Sequence, residues 1–310
     1  MVTSSLRGTF TALVTPFLDD GSVDVASFEK LLEAQIAGGI SGLVPCGTTG
    51  ESPTLDPAES LDLVKRCVKA AAAAKGRVKV VAGTGSFSTI KTIEASIAAE
   101  KAGADAVMVV VPYYSKPTQE GLLQHFVAVA KSVSCTVVVY NVPARTGIDL
   151  AADTLLRIAE TAPNVIATKE ATGNVLRAQE IVRRSEGKLT VLSGDDGLTL
   201  PMTSVGGQGV ISVTSNVFPG HVARATRLAL EGKWDEARAA HFALLPVHEA
   251  MFIEANPGPA KAAIAALENL RHGSENVRGP LAKIAESSRT KVLEIVKAFL
   301  AKAGPDPRIS

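Results

Sequence analysis

Aromatic residues are scarce, at 4% of the chain, while 46% of its 310 residues are apolar, so an ample core has to be built mainly from aliphatic side chains. Cysteine is scarcer still. Cys46, Cys67 and Cys135 are too few and too scattered for a disulfide framework or a metal cluster, which fits a reducing cytosol. Charge of either sign is not in excess: 32 basic and 31 acidic residues leave a formal charge of +1. They are interspersed, so no electrostatic stripe for nucleic acid and no polybasic membrane anchor is present. No apolar run is long enough to cross a bilayer, and the opening "MVTSSLRGTF" lacks the hydrophobic stretch of a secretion signal. These absences leave a cytoplasmic globular protein whose partners are small molecules.

What is present is a rhythm. Short β-branched runs recur eight times, as "TALVTP" from Thr11, "SGLVPC" from Ser41, "VKVVAGT" from Val78, "AVMVVVP" from Ala106, "TVVVYN" from Thr136, "NVIATKE" from Asn164, "LTVLSG" from Leu189 and "GVISVT" from Gly209. Amphipathic segments of helical period lie between them, among them Val25–Ala37, Pro57–Ala74, Thr89–Ala102 and Thr118–Lys131. Eight β/α units in about 230 residues, with continuous apolar strands, predict a closed (β/α)8 TIM barrel rather than an open doubly wound sheet. After Val217 only helical patterns follow, at about Lys233–Glu254, Gly258–Leu270 and Val277–Lys302, and the final "GPDPRIS" is expected to fray. The predicted division is a catalytic barrel over residues 1–230 and an all-helical extension over residues 231–310.

In such barrels chemistry collects at the carboxyl ends of the strands and the loops beyond them. There the sixth apolar run finishes on Lys169. An amine drawn into apolar surroundings is held as a nucleophile able to form a Schiff base; the alternative is a lysine that snorkels to water or pairs with Glu170. "GTTG", Gly47–Gly50, offers backbone N–H groups and two hydroxyls to an anion such as a carboxylate, although a plain turn would also want those glycines. The phosphate-loop pattern is missing its lysine and spacing. All three tyrosines, Tyr113, Tyr114 and Tyr140, fall at the ends of the fourth and fifth strands, placed for proton relay or for packing. Arg145, on the loop after Tyr140, could grip a second carboxylate or simply face water. Asp195 and Asp196 hint at a metal, but the five histidines are scattered and no zinc helix is completed at His248, so no metal is expected. "GTGS" at Gly83 and "GGQG" at Gly206 fall short of a dinucleotide fingerprint.

The ordered series "GTFTALVTPF", "GTTGES", "PYYSKPTQEG", "YNVPARTG", "KEATGN", "SGDDG", "GVISVTSN" and "NPGPAK" resembles the dihydrodipicolinate synthase branch of the pyruvate-dependent class I aldolases over nearly the whole chain. The resemblance implies Lys169 as the Schiff-base lysine, Tyr140 as the acid/base tyrosine, and Thr48 and Tyr114 as the rest of a hydroxyl relay, with the residue like Tyr114 reaching in from an adjacent subunit. It implies Thr48 and Thr49 at pyruvate's carboxylate, Arg145 at the carboxylate of L-aspartate 4-semialdehyde, and Gly194, Asp195 and Ile211 as the surrounding wall. It further implies a homotetramer built from dimers and no cofactor. The Thr48-Thr49 pair and Arg145 favour the synthase over the sialic-acid lyases. A retro-aldol lyase of the same chemistry and a non-catalytic carboxylate-binding barrel are the rival functions. Lysine-inhibited members carry histidines, an asparagine and a glutamate near the subunit junction, where this chain has Pro57, Ser60, Phe87 and Lys91. Lys91 would repel the inhibitor's ammonium, so weak or absent lysine feedback is expected.

Overall fold

The computed structural model describes residues 6–74, 78–267 and 273–307. Within them eight strands, β1 (Gly8–Ala12), β2 (Gly42–Val44), β3 (Lys79–Gly83), β4 (Ala106–Val110), β5 (Thr136–Asn141), β6 (Val165–Glu170), β7 (Thr190–Ser193) and β8 (Gly209–Ser212), are all parallel. Each pairs with its neighbour in sequence, and β1 closes on β8 with Gly8 opposite Gly209. The expected barrel is therefore the fold. Its wrapping helices are α1 (Val25–Ala37), α2 (Pro57–Ala73), α3 (Thr89–Lys101), α4 (Gln119–Ser132), the short α5 (Pro143–Thr146), α6 (Ala152–Thr161), α7 (Val175–Arg184), α8 (Thr199–Ser204) and α9 (Pro219–Leu230). Three more helices follow: α10 (Trp234–Ala250), α11 (Gly258–Ala266) and α12 (Glu286–Ala303).

Side chains alternate across each strand, and the alternation sorts the core into two. Phe10, Ala12, Val44, Val81, Met108, Val138, Tyr140, Ala167, Leu192 and Ile211 fill the cylinder, while Val137, Val139 and Val165 face the helices. Strands buried on both faces read as unbroken apolar runs, which is why they were visible in the sequence.

Four boundaries differ from expectation. The first strand occupies Gly8–Ala12 rather than beginning at Thr11; by Val14 the chain has left the sheet, and that residue's N–H donates to Asn216 Oδ1 at 3.0 Å. The last helix starts at Glu286, not Val277, because Gly279-Pro280 interrupts the helical backbone and Arg278 is engaged by the barrel. Helix α10 stops at Ala250, short of Glu254; α11 ends at Ala266, and Leu270 lies outside the described residues. The tail is tied down as far as Pro307: the Asp306 carboxylate accepts from the N–H groups of Gly220 (2.8 Å) and His221 (2.9 Å), donors that the first turn of α9 leaves free. Residues 308–310 lie outside the described residues.

Candidate active site

Lys169 has the same inward parity on β6 as Ala167, and it is 4% exposed. It stands beside Tyr140 in the β5–β6 register, with its Nζ 4.2 Å from the centre of the tyrosine ring. Glu170 points the other way. Its carboxylate is taken by Arg177 Nε of α7 at 3.0 Å and by the Thr172 N–H at 3.2 Å, so it does not neutralise Lys169. Among the described residues Lys169 has no hydrogen-bond or ion-pair partner, and the snorkelling and Glu170-paired alternatives are both set aside. Space for the lysine stem depends on Gly194 at the end of β7: a Cβ there would lie 3.1 Å from Lys169 Cε and 2.6 Å from Ala171 Cβ.

Thr48 and Tyr140 share a cavity of about 30 Å3 with Gly47, Ser52, Gly83, Met108 and Val110. The close approach of β3 to this loop requires glycine at 83, where a Cβ would meet the Cys46 carbonyl oxygen at 2.1 Å. Cys46 also borders the cavity, but burial pushes its thiol up to about 12, which keeps it protonated and no rival nucleophile. Thr49 is 2% exposed and its Oγ1 accepts a hydrogen bond from Asn256 Nδ2 at 2.9 Å. The next turn is held by Glu51, in the left-handed region at φ +56°, whose carboxylate pairs with Lys261 and accepts from the Arg278 N–H at 2.9 Å. Arg278 in turn makes a bidentate pair with Glu59, the residue that completes the capping box of α2.

The remaining sequence-predicted residues divide. Ile211 belongs to the cluster inside the barrel that contains Tyr140. Asp195 follows Gly194 on the β7 rim; its Oδ1 accepts from the Gly197 N–H at 2.9 Å, and burial raises its carboxyl above the ordinary value. Asp196 is structural: its two oxygens accept from Ser212 Oγ and from the N–H groups of Val213 and Thr214. No group of three His, Cys, Asp or Glu side chains among the described residues is arranged to hold a metal. Arg145 lies in the short α5, exposed, and its guanidinium makes no ion pair among the described residues. Tyr113 packs edge-on against Phe87, centroids 5.7 Å apart, and burial raises its phenol. Tyr114 does not join the pocket of its own barrel; it is 93% exposed and sits at φ +71° on the loop after β4.

Asn256, Glu51, Lys261 and Arg278 form a supporting network around the turn at residues 49–51 that local sequence signals miss. The available clues are the "NPGPAK" motif and the lone charge of Lys261 inside the apolar helix "GPAKAAIAAL".

A closed parallel barrel in which a buried lysine, unpaired among the described residues, lies against a tyrosine whose cavity is shared by a hydroxyl-bearing glycine loop fits a class of enzyme that attacks carbonyl carbon through an amine. The chain belongs to the Dihydrodipicolinate synthetase family, which matches residues 5–299. A 4-hydroxy-tetrahydrodipicolinate synthase of Sorangium cellulosum is 57% identical over 298 residues, covering 96% of this chain and 97% of that protein. The crystal structure of dihydrodipicolinate synthase from Aquifex aeolicus superposes with a TM-score of 0.91 at 40% identity, covering 98% of this chain and all (100%) of the other. The enzyme from Acinetobacter baumannii, solved in complex with pyruvate, matches with a TM-score of 0.90 at 39% identity over 95% of this chain and 99% of its own.

Proposed function

We propose that this chain is a 4-hydroxy-tetrahydrodipicolinate synthase, condensing pyruvate with L-aspartate 4-semialdehyde in the route to diaminopimelate and lysine. The observation that carries the proposal is Lys169, buried without a counter-charge and lying over Tyr140. Its amine adds to the ketone carbon of pyruvate, and water leaves to give the imine. The imine draws electrons from the methyl carbon, whose proton departs through Tyr140, and an enamine forms. The enamine carbon bonds to the aldehyde carbon of the semialdehyde, and the new alkoxide takes a proton from the hydroxyl relay. The second substrate's own amine then attacks the imine carbon and displaces Lys169 as the ring closes. The lysine supplies the electron sink, so the chemistry calls for no metal or organic cofactor.

Thr48 and Thr49 hold the pyruvate carboxylate, the unpaired Arg145 receives the second carboxylate, and Gly194, Asp195 and Ile211 wall the pocket. Tyr114 completes the relay in a neighbouring subunit, which makes a dimer the smallest competent unit and a cytoplasmic homotetramer the full assembly. The unpaired guanidinium favours this reading over a sugar-acid lyase, whose substrate brings no such second carboxylate.

Borohydride reduction in the presence of pyruvate, followed by peptide mass mapping, is expected to leave a pyruvyl adduct on Lys169; unmodified protein would refute the chemistry. Product analysis with pyruvate and the semialdehyde, set against cleavage of N-acetylneuraminate, separates synthase from lyase. Mixing inactive Tyr114→Phe and Lys169→Ala chains restores activity if the tyrosine acts across subunits, because one site of each mixed dimer is then intact; continued inactivity of verified mixed dimers counts against the shared site.

A further inference from the structure

The loop from Gly47 to Glu51 is held from outside the barrel. Asn256 lies between α10 and α11, 5% exposed, and reaches 207 positions back along the chain to donate to Thr49 Oγ1. A threonine hydroxyl carries one proton and two lone pairs. With a lone pair occupied by the Asn256 amide, its proton is left to be given, and Thr49 makes no other side-chain hydrogen bond among the described residues. A donor of this kind in a buried loop is what a carboxylate needs and what a cation would avoid. The loop backbone is fixed independently: Gly50 and Ser52 N–H groups bond to the Gly47 carbonyl (3.1 and 3.3 Å), and Gly50 O accepts from Thr15 Oγ1 at 2.8 Å. Asn256 therefore does not shape the loop's backbone turn. It touches the one hydroxyl.

We propose that Asn256 is a positioning residue that sets the direction of the Thr49 O–H, so that the hydroxyl donates to the carboxylate of the keto acid. The helical extension is then part of substrate recognition, although every group assigned to the chemistry stands on the barrel. The proposal rests on the reading that Thr49 binds the pyruvate carboxylate. It adds the group that makes Thr49 a donor rather than an acceptor.

The test is steady-state kinetics on the full-length assembly for Asn256→Ala, Asn256→Asp, Thr49→Val and the double variant Thr49→Val/Asn256→Ala. Asn256→Ala is expected to raise KM for pyruvate roughly 10-fold, with kcat and KM for the semialdehyde within about 2-fold of the parent. The double variant is expected to be no worse than Thr49→Val alone, because Asn256 acts only through that hydroxyl. Asn256→Asp turns the donor into an acceptor that captures the Thr49 proton and repels the substrate. Its KM for pyruvate is expected to exceed that of Asn256→Ala, and its ratio to the parent KM to shrink as the new carboxyl is protonated at lower pH. A purely structural asparagine would lower kcat and stability with no such pH-dependent ratio. Additive losses in the double variant, or an unchanged pyruvate KM in both single Asn256 variants, would overturn the proposal. If Asn256→Ala fails to assemble, the near-isosteric Asn256→Asp decides the question through its pH-dependent ratio. Failure of the borohydride trap in the parent protein would instead refute the Schiff-base reading, so the two failures are distinguishable.

Discussion

Among the described residues two lysines are buried to nearly the same degree and against similar rings. Lys169 lies with its Nζ 4.2 Å from the centre of Tyr140, and Lys261, 2% exposed, lies 4.3 Å from the centre of Phe17. Their polar surroundings differ. Lys261 is ion-paired with Glu51 and donates to the Asn276 carbonyl at 2.7 Å, whereas Lys169 has no such partner among the described residues. Burial pulls Lys261 below the ordinary lysine value and Glu51 pushes back. Under the proposed function, depth does not separate the reactive lysine from the structural one; the presence of a counter-charge does.

The largest effect that tests this contrast is expected from Lys169→Met, which should remove the borohydride adduct and cost about 10⁴-fold or more in kcat. Its melting temperature should hold or rise, since an unpaired buried amine has been replaced by an apolar stem of similar length. Lys261→Met should do the opposite, losing about 3–5 kcal/mol in urea unfolding because the Glu51 carboxylate is stranded, while pyruvate still traps on Lys169. Adding Glu51→Gln should recover much of that loss; if it does not, the ion pair is not what holds the loop.

A third buried base extends the rule to pH. His125 of α4 shares a hydrogen bond with Thr89 Oγ1 at 2.9 Å through Nδ1, its Nε2 is buried without a partner, and burial holds the imidazole down to about 4. The unfolded chain takes up a proton near the usual 6.5 that the folded chain refuses. The stability tied to His125 is therefore complete above pH 6.5 and drains away as pH falls toward 4, by up to ~3 kcal/mol. Subtracting the urea-unfolding pH profile of His125→Gln from that of the parent should isolate this slope.

The smallest effect should come from free L-lysine. Lys91 lies 6.0 Å over the Phe87 ring, which packs on Tyr113, so the position where the resemblance implies a carboxylate for an inhibitory ammonium presents a cation instead. Less than about a twofold change in rate at millimolar lysine is the expected outcome, and strong inhibition at low lysine would refute it.

The contrast between the lysines also marks where sequence reasoning succeeds. Lys169 stands out because a charge ending a β-branched run violates a short-range pattern, and the strands are legible because burial on both faces makes them continuous. Lys261 breaks a pattern too, but in an alanine-rich stretch the helix-forming tendency of lysine hides the violation. Its partner Glu51 is 210 positions away and the contact of Asn256 with Thr49 spans 207, distances over which no periodicity speaks. Thus "NPGPAK" registers as a motif of the family without disclosing a role. Arg145 and Tyr114 are identifiable by type and loop position, yet both side chains stand exposed, so this chain's own packing assigns them no role. The tail misleads for a related reason: "GPDPRIS" has the composition of a loose end, and only the tertiary neighbour α9 turns Asp306 into a cap.

The absence of a side chain at position 194 limits how this barrel can diversify. Any added atom there presses on the ε-carbon of Lys169 on one side and on Ala171 on the other, so no substitution at this wall spares the lysine. Arg145, on the short α5 two strands away, is exposed and makes no ion pair among the described residues, so exchanging it leaves the interior undisturbed. Under the proposed function, selection or a directed library acting on specificity has its open ground there, with covalent capture of the keto acid inherited unchanged.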